Sequence, residues 1–141
     1  MREYISNNLQ ETNELAKKII ADLQDKRLIA LSGNLGAGKT ALVKAIAENL
    51  GIKEAITSPT FVLLKVYNLN FKNLKKLVHI DCYRLDGEED LQDLGLEDYI
   101  ADPEALVLIE WAEKIKNLPE ANLLKIKIEI LGNKERKIII S

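Results

Sequence analysis

Gly33, Asn34, Leu35, Gly36, Ala37, Gly38, Lys39 and Thr40 stand between a short apolar segment, 28–32, and an apolar-periodic segment, 39–50, that Gly51 stops. The eight residues satisfy the pattern Gly-x-x-x-x-Gly-Lys-Ser/Thr in the setting that gives it meaning, after a strand and before a helix. Lacking Cβ atoms, the glycines let such a loop wrap an anion with its backbone N–H groups, and the helix N-terminus behind it adds partial positive charge. In such a loop Lys39 reaches the β- and γ-phosphates of a nucleotide, and the Thr40 hydroxyl ligates Mg²⁺. A strand, loop and helix in this order demand an α/β fold.

The remaining segments fit that demand. Residues 8–24 carry Leu15, Ala16, Ile19, Ile20 and Leu23 on one helical stripe, with Asn8 and Glu11 spaced as a capping box. Segments 61–67 and 77–83 read as strands joined by a polar, lysine-containing connection that can form a hairpin. Asp86 and Glu89 repeat the capping pattern at the start of a helix expected to run to about Ile100. Residues 105–109 form an unbroken apolar run, the pattern of a strand buried on both faces. Residues 123–131 alternate, with Leu124, Ile126, Ile128 and Ile130 on one face, and turn at Gly132 and Asn133 into a last strand, 136–140. The expectation is one domain over residues 1–141, a three-layer P-loop fold with a mixed, mainly parallel central sheet and an antiparallel hairpin at its edge.

A phosphate loop of this kind works with an acid at the end of a neighbouring strand. Asp81 and Glu110 both end apolar runs, where ligands of α/β sheets bind. Both are candidate site residues, with Glu110 expected nearer the metal. No Asp precedes a glycine by three residues, and Asn133-Lys134-Glu135-Arg136 lacks the Asp of a guanine-reading motif, so ATP is the expected nucleotide. A small-molecule kinase would share the loop, but such enzymes carry an arginine-bearing lid, and this chain has only Arg2, Arg27, Arg84 and Arg136.

Hydrophobic residues make up 47% of the 141, the balance of a globular protein that folds alone. No apolar run approaches the roughly 18–20 residues that span a bilayer, and the N-terminal segment lacks the pattern of an export signal, so the expected location is the cytosol. The single cysteine, Cys82, is expected to be a buried apolar residue. A thiol–imidazole pair with His79 is disfavoured, because strand alternation puts positions 79 and 82 on opposite faces. Between Leu85 and Glu113 lie eleven acidic residues and no Lys or Arg, so this stretch is unsuited to a phosphate backbone.

The order of Gly33 to Thr40, then Thr57-Ser58-Pro59-Thr60-Phe61, His79-Ile80-Asp81-Cys82-Tyr83-Arg84-Leu85, Gly95-Leu96-Glu97-Asp98-Tyr99 and Ile109-Glu110-Trp111-Ala112-Glu113 resembles the TsaE (YjeE) family. These are ATPases of bacterial tRNA threonylcarbamoyladenosine (t6A) modification. The resemblance spans about positions 8–136. It implies a slow, Mg²⁺-dependent ATPase that supports modification of adenosine 37 with the partners TsaD and TsaB, the transfer itself being the partner's and tRNA being reached indirectly through the complex. It implies that residues 35–40 bind the phosphates and that Thr40 and Glu110 bind the metal. It also puts Thr60 over the γ-phosphate, makes Asp81 a catalytic or water-ordering acid, and brings the turn at Gly132 near the base. A nucleotide-gated binding module with negligible turnover is the alternative the same resemblance leaves open.

Overall fold

The computed structural model describes residues 1–34, 36–56, 64–85, 87 and 91–141. Its elements are β1 (Arg2–Ser6), α1 (Leu9–Ala21), β2 (Leu28–Ser32), α2 (Lys39–Asn49), β3 (Leu64–Phe71) and β4 (Leu74–Asp81). There follow α3 (Leu91–Leu94), α4 (Glu97–Ala101), β5 (Ala105–Glu110), a 3-10 turn (Ala112–Lys114), β6 (Leu123–Ile130) and β7 (Arg136–Ile140). None of the described helices is long and apolar enough to cross a membrane.

Seven strands form one sheet in the order β1-β7-β6-β2-β5-β4-β3. The central four, β6, β2, β5 and β4, are parallel, and antiparallel pairs flank them on both sides. Every residue of β5 is buried, as its unbroken apolar run requires. Leu106 and Leu108 pack with α1 and α2, whereas Ala105, Val107 and Ile109 pack on the opposite face with Leu96 and Ala112. The α/β architecture thus has helices on both faces of a mixed sheet. Each fully buried Leu or Ile in these layers contributes about 1.5–3 kcal/mol.

Several local expectations need correction. The strand β1 was not foreseen, because only Ser6 of its five residues is buried and its ladder partner β7 lies at the other end of the chain. With β1 outside it, the β6–β7 hairpin is not the sheet edge. The carbonyl end of Asn8 caps α1 by accepting the Glu11 N–H at 2.8 Å, but the Glu11 carboxylate reaches back to Asn7, not to Asn8. That helix ends at Ala21, short of Gln24, although Leu23 is buried beyond it. The β3–β4 turn is only Lys72 and Asn73, so both strands extend further toward it than their apolar runs suggested. Ile130, at the end of β6, is exposed where the alternation placed it with the core.

In place of one helix up to Ile100, the described residues show α3 and α4 separated at Gly95, whose φ of +70° leaves the right-handed helix. Residues 61–63, the start of one expected strand, and Asp86 and Glu89, the second capping pair, lie outside the described residues.

Candidate functional site

The loop after β2 leaves the middle of the sheet, between β5 and β6. Gly33 has φ +144°, and a Cβ there would stand 2.5 Å from the Ile128 carbonyl oxygen. Close backbone approach to β6 therefore requires glycine at this position. The loop closes at Gly38, which starts α2 without a side-chain cap and so leaves the helix N-terminus to other partners. Leu35 and Thr60, both expected site residues, lie outside the described residues.

Lys39 opens α2 and is almost fully buried. Its ammonium donates to the carbonyls of Gly33 and, at 3.0 Å, Asn34, and it sits 4.0 Å from the centroid of the Trp111 ring. Burial pulls the Lys39 pKa below the usual lysine value, against the opposing fields of Glu113, Glu110 and Asp81. A cation held in this way by neutral acceptors and a ring face is poised for an anion.

Thr40, one residue on, donates its hydroxyl to Glu110 Oε1 at 2.9 Å. The other carboxylate oxygen of Glu110 is 2.6 Å from His79 Nε2, and both residues are buried. Parallel pairing of β4 and β5 sets Asp81 directly beside Glu110. Asp81 is partly exposed and accepts the Tyr83 N–H at 2.9 Å. Burial raises its pKa above the ordinary carboxylate value, and the neighbouring charge of Glu110 adds to this. The Tyr83 N–H, His79 and Lys39 oppose the shift.

These groups meet in a cavity of about 310 Å³ whose walls include Gly36, Lys39, Thr40, Asp81, Glu110 and Trp111. The Thr40 hydroxyl and the Glu110 carboxylate are hard oxygen donors that converge on one point. Their chemistry fits Mg²⁺, which takes one or two protein oxygens and completes its shell with waters and phosphate oxygens. Trp111 has a left-handed backbone, φ 58°, and its ring also packs on Tyr83 at 5.2 Å between centroids.

On the other side of the loop lies a larger cavity of about 560 Å³, between Asn8 and Thr12 of the α1 start, Ala37 and Ala41, and Asn133 and Lys134 of the β6–β7 connection. Gly132, the turn residue expected near the base, adjoins Asn133 in the connection but is not itself part of this wall. Its carbonyl accepts from Arg136 Nη1 at 2.9 Å. The same guanidinium donates from Nε to Ala37 O at 3.0 Å and from Nη1 to Glu135 O at 2.9 Å. Arg136 therefore fastens the hairpin connection to the phosphate loop. Sequence reasoning missed it, since the two segments it joins share no local pattern. Arg84 is exposed and belongs to neither cavity wall. Cys82 is fully buried on the α3–α4 face, and His79, an odd-numbered neighbour of Leu77, points to the other, so the two form no pair.

Residues 6–138 match the family described as "Threonylcarbamoyl adenosine biosynthesis protein TsaE". The "tRNA threonylcarbamoyladenosine biosynthesis protein TsaE" of Bacillus subtilis (strain 168) is 38% identical over 131 residues, covering 93% of this chain and 79% of that protein. The protein so named in Treponema pallidum is 36% identical over 138 residues, 97% of this chain and 98% of its own. The crystal structure of Bacillus subtilis YdiB superposes with a TM-score of 0.68 at 33% identity, covering 97% of this chain and 82% of that one.

Proposed function

The chain belongs to the TsaE family of tRNA threonylcarbamoyladenosine biosynthesis proteins, and from that premise we propose that it binds Mg-ATP and hydrolyses it slowly in support of this modification. The observation that carries the reading is the convergence of the buried Lys39 ammonium, the Thr40–Glu110 pair and Asp81 on one cavity at the phosphate loop. In this reading residues 33–40 hold the phosphates, Leu35 included, and Lys39 exchanges its loop carbonyls for β- and γ-phosphate oxygens. Thr40 and Glu110 hold Mg²⁺, which when bound neutralises charge on the phosphates. Asp81, whose raised pKa favours proton acceptance, orders the attacking water. Thr60 covers the γ-phosphate. The adenosine end of the nucleotide takes the larger cavity beside the connection that holds Gly132, with Asn133 and Lys134 in its wall.

The working complex in this reading contains TsaD and TsaB in the cytosol, with tRNA held by those partners. The eleven acidic residues between Leu85 and Glu113, with no Lys or Arg among them, support that division of labour. Trp111 supplies the test. Titrating Mg-ATP into the wild-type protein should change its fluorescence, the sole tryptophan signal of the chain, and Lys39→Ala should abolish the change. Turnover should be slow alone and rise with TsaD and TsaB. A wild-type spectrum indifferent to saturating Mg-ATP, with no binding by calorimetry, would overturn the reading. Binding with no turnover in any mixture would instead leave a nucleotide-gated binding module.

A further inference from the structure

Behind Asp81 and Glu110 the sheet face they share is apolar, lined by Leu77, Leu106 and Leu108, yet it holds one fully buried histidine. His79 lies two residues before Asp81 on β4, opposite Leu108 in the ladder and therefore one step behind Glu110. It forms no part of the cavity wall. Its Nε2 is 2.6 Å from Glu110 Oε2, and its Nδ1 is buried with no hydrogen-bond partner. A carboxylate oxygen only accepts, so Nε2 carries the proton of this bond. That tautomer leaves Nδ1 as a bare lone pair, a cheaper group to bury than an unpaired N–H.

We propose that His79 is a positioning residue for the site, fixing the Glu110 carboxylate by its Oε2 so that Oε1 faces the Thr40 hydroxyl and the metal. The proposal rests on the assignment of Thr40 and Glu110 to Mg²⁺ given above. The physical reason is twofold. A buried carboxylate with one oxygen unpaired bears a desolvation cost, which the imidazole N–H removes. The same bond restricts rotation about the last side-chain torsion, so the outward oxygen has one orientation. A space-filling role needs neither effect, and leucine would match the neighbouring residues better. Hydrogen-bond partners behind metal ligands typically carry 10- to 100-fold in metal affinity.

The test follows binding of a fluorescent ATP analogue to the full chain during Mg²⁺ titration, and separately in EDTA. His79→Leu should raise the Mg²⁺ half-saturation about tenfold or more, with affinity in EDTA within about twofold of wild type. His79→Gln, whose amide N–H can reach Oε2, should recover to within about threefold, and the shorter His79→Asn should not. In a Glu110→Gln background His79→Leu should add nothing to the Mg²⁺ effect. Equal behaviour of the Gln and Asn variants, or a wild-type Mg²⁺ dependence in His79→Leu, makes the histidine a packing residue and overturns the proposal. Should His79→Leu fail to fold, the Gln and Asn comparison still decides. A wild-type protein whose nucleotide binding ignores Mg²⁺ defeats the metal assignment itself, which is a different result from a wild type that responds and variants that do not differ.

Discussion

The two cavities that share Ala37, Gly38 and Ala41 as a common wall are built on opposite plans. The smaller draws its charged groups from a single loop and from the ends of two adjacent parallel strands, β4 and β5, and it buries Lys39 and Glu110. The larger is closed by elements from the two ends of the chain, the β1–α1 junction and the β6–β7 connection. The Arg136 guanidinium hydrogen-bonds it to the loop, donating to the carbonyls of Ala37 and Gly36. One cavity gathers acids around a buried lysine, whereas the other is lined mainly by apolar and neutral groups with Lys134 and Arg136 on its hairpin side. The difference predicts that damage to the first should remove binding and chemistry together, whereas damage to the second should weaken binding and leave the metal dependence alone.

The largest effect is expected in the charged cavity. Lys39→Ala removes the only buried cation there among the described residues and should cost about 3 kcal/mol of nucleotide affinity, roughly a hundredfold in Kd, with or without Mg²⁺. Thr40→Ala should lose only the Mg²⁺-dependent part, so calorimetry in EDTA should return wild-type affinity for it and not for Lys39→Ala. Equal affinity in wild type and Lys39→Ala would remove the phosphate site from this cavity.

What could be read beforehand follows the same division. The glycine pattern, Lys39, Thr40 and the strand-end acids are local signals, set by strand, loop and helix in sequence, and the structure brings all of the described ones together. Glu110 is the strand-end acid that bonds the Thr40 hydroxyl, and Asp81 stands beside it on the next strand. Long-range pairing was not legible. β1 has too little buried surface to announce itself, and Arg136 acts across 99 positions of chain. The bond of His79 to Glu110 could not be read from sequence, because the two lie on neighbouring strands of the sheet, 31 positions apart.

Arg136→Ala tests the larger cavity and should be milder. The guanidinium holds neutral carbonyls, so its loss should weaken nucleotide binding about five- to tenfold, near 1 kcal/mol, through a looser wall. The Mg²⁺ half-saturation should not move. A Mg²⁺ shift as large as that of Thr40→Ala would erase the distinction between the cavities.

Asp81 sharpens the electrostatic side of the comparison through stability. Its folded-state pKa is raised, first by burial and then by Glu110, so folding favours its protonated form. The cost of the carboxylate is full at neutral pH and vanishes once pH falls below the unfolded value, about 3.9. Asp81→Asn should therefore raise the melting temperature of the nucleotide-free protein at pH 7, and the gap from wild type should close toward pH 4. A gap that widens on acidification would reverse the assigned direction. The same variant should lose turnover while still binding ATP.

The smallest intrinsic effect is expected at Arg84. Arginines that neutralise charge on a transferred phosphate contribute roughly 10³–10⁵ in rate, whether supplied by the same chain or by a partner. Arg84 lies three positions past Asp81, yet it is exposed and outside both cavity walls. An arginine acting within this chain would have to reach the Lys39 cavity, where the described cation is Lys39 alone. Arg84→Ala should thus leave single-turnover hydrolysis by the isolated protein within about twofold of wild type, since surface substitutions away from such contacts cost little. An exposed arginine beside the site is instead placed to meet another protein, so the variant should lose partner-stimulated turnover with TsaD and TsaB while ATP affinity stays unchanged. Single-turnover measurements of both proteins, alone and with the partners, separate the cases. A steep loss in the isolated variant would mean that Arg84 closes onto the phosphate within this chain, and the wall of the charged cavity would then have to include it.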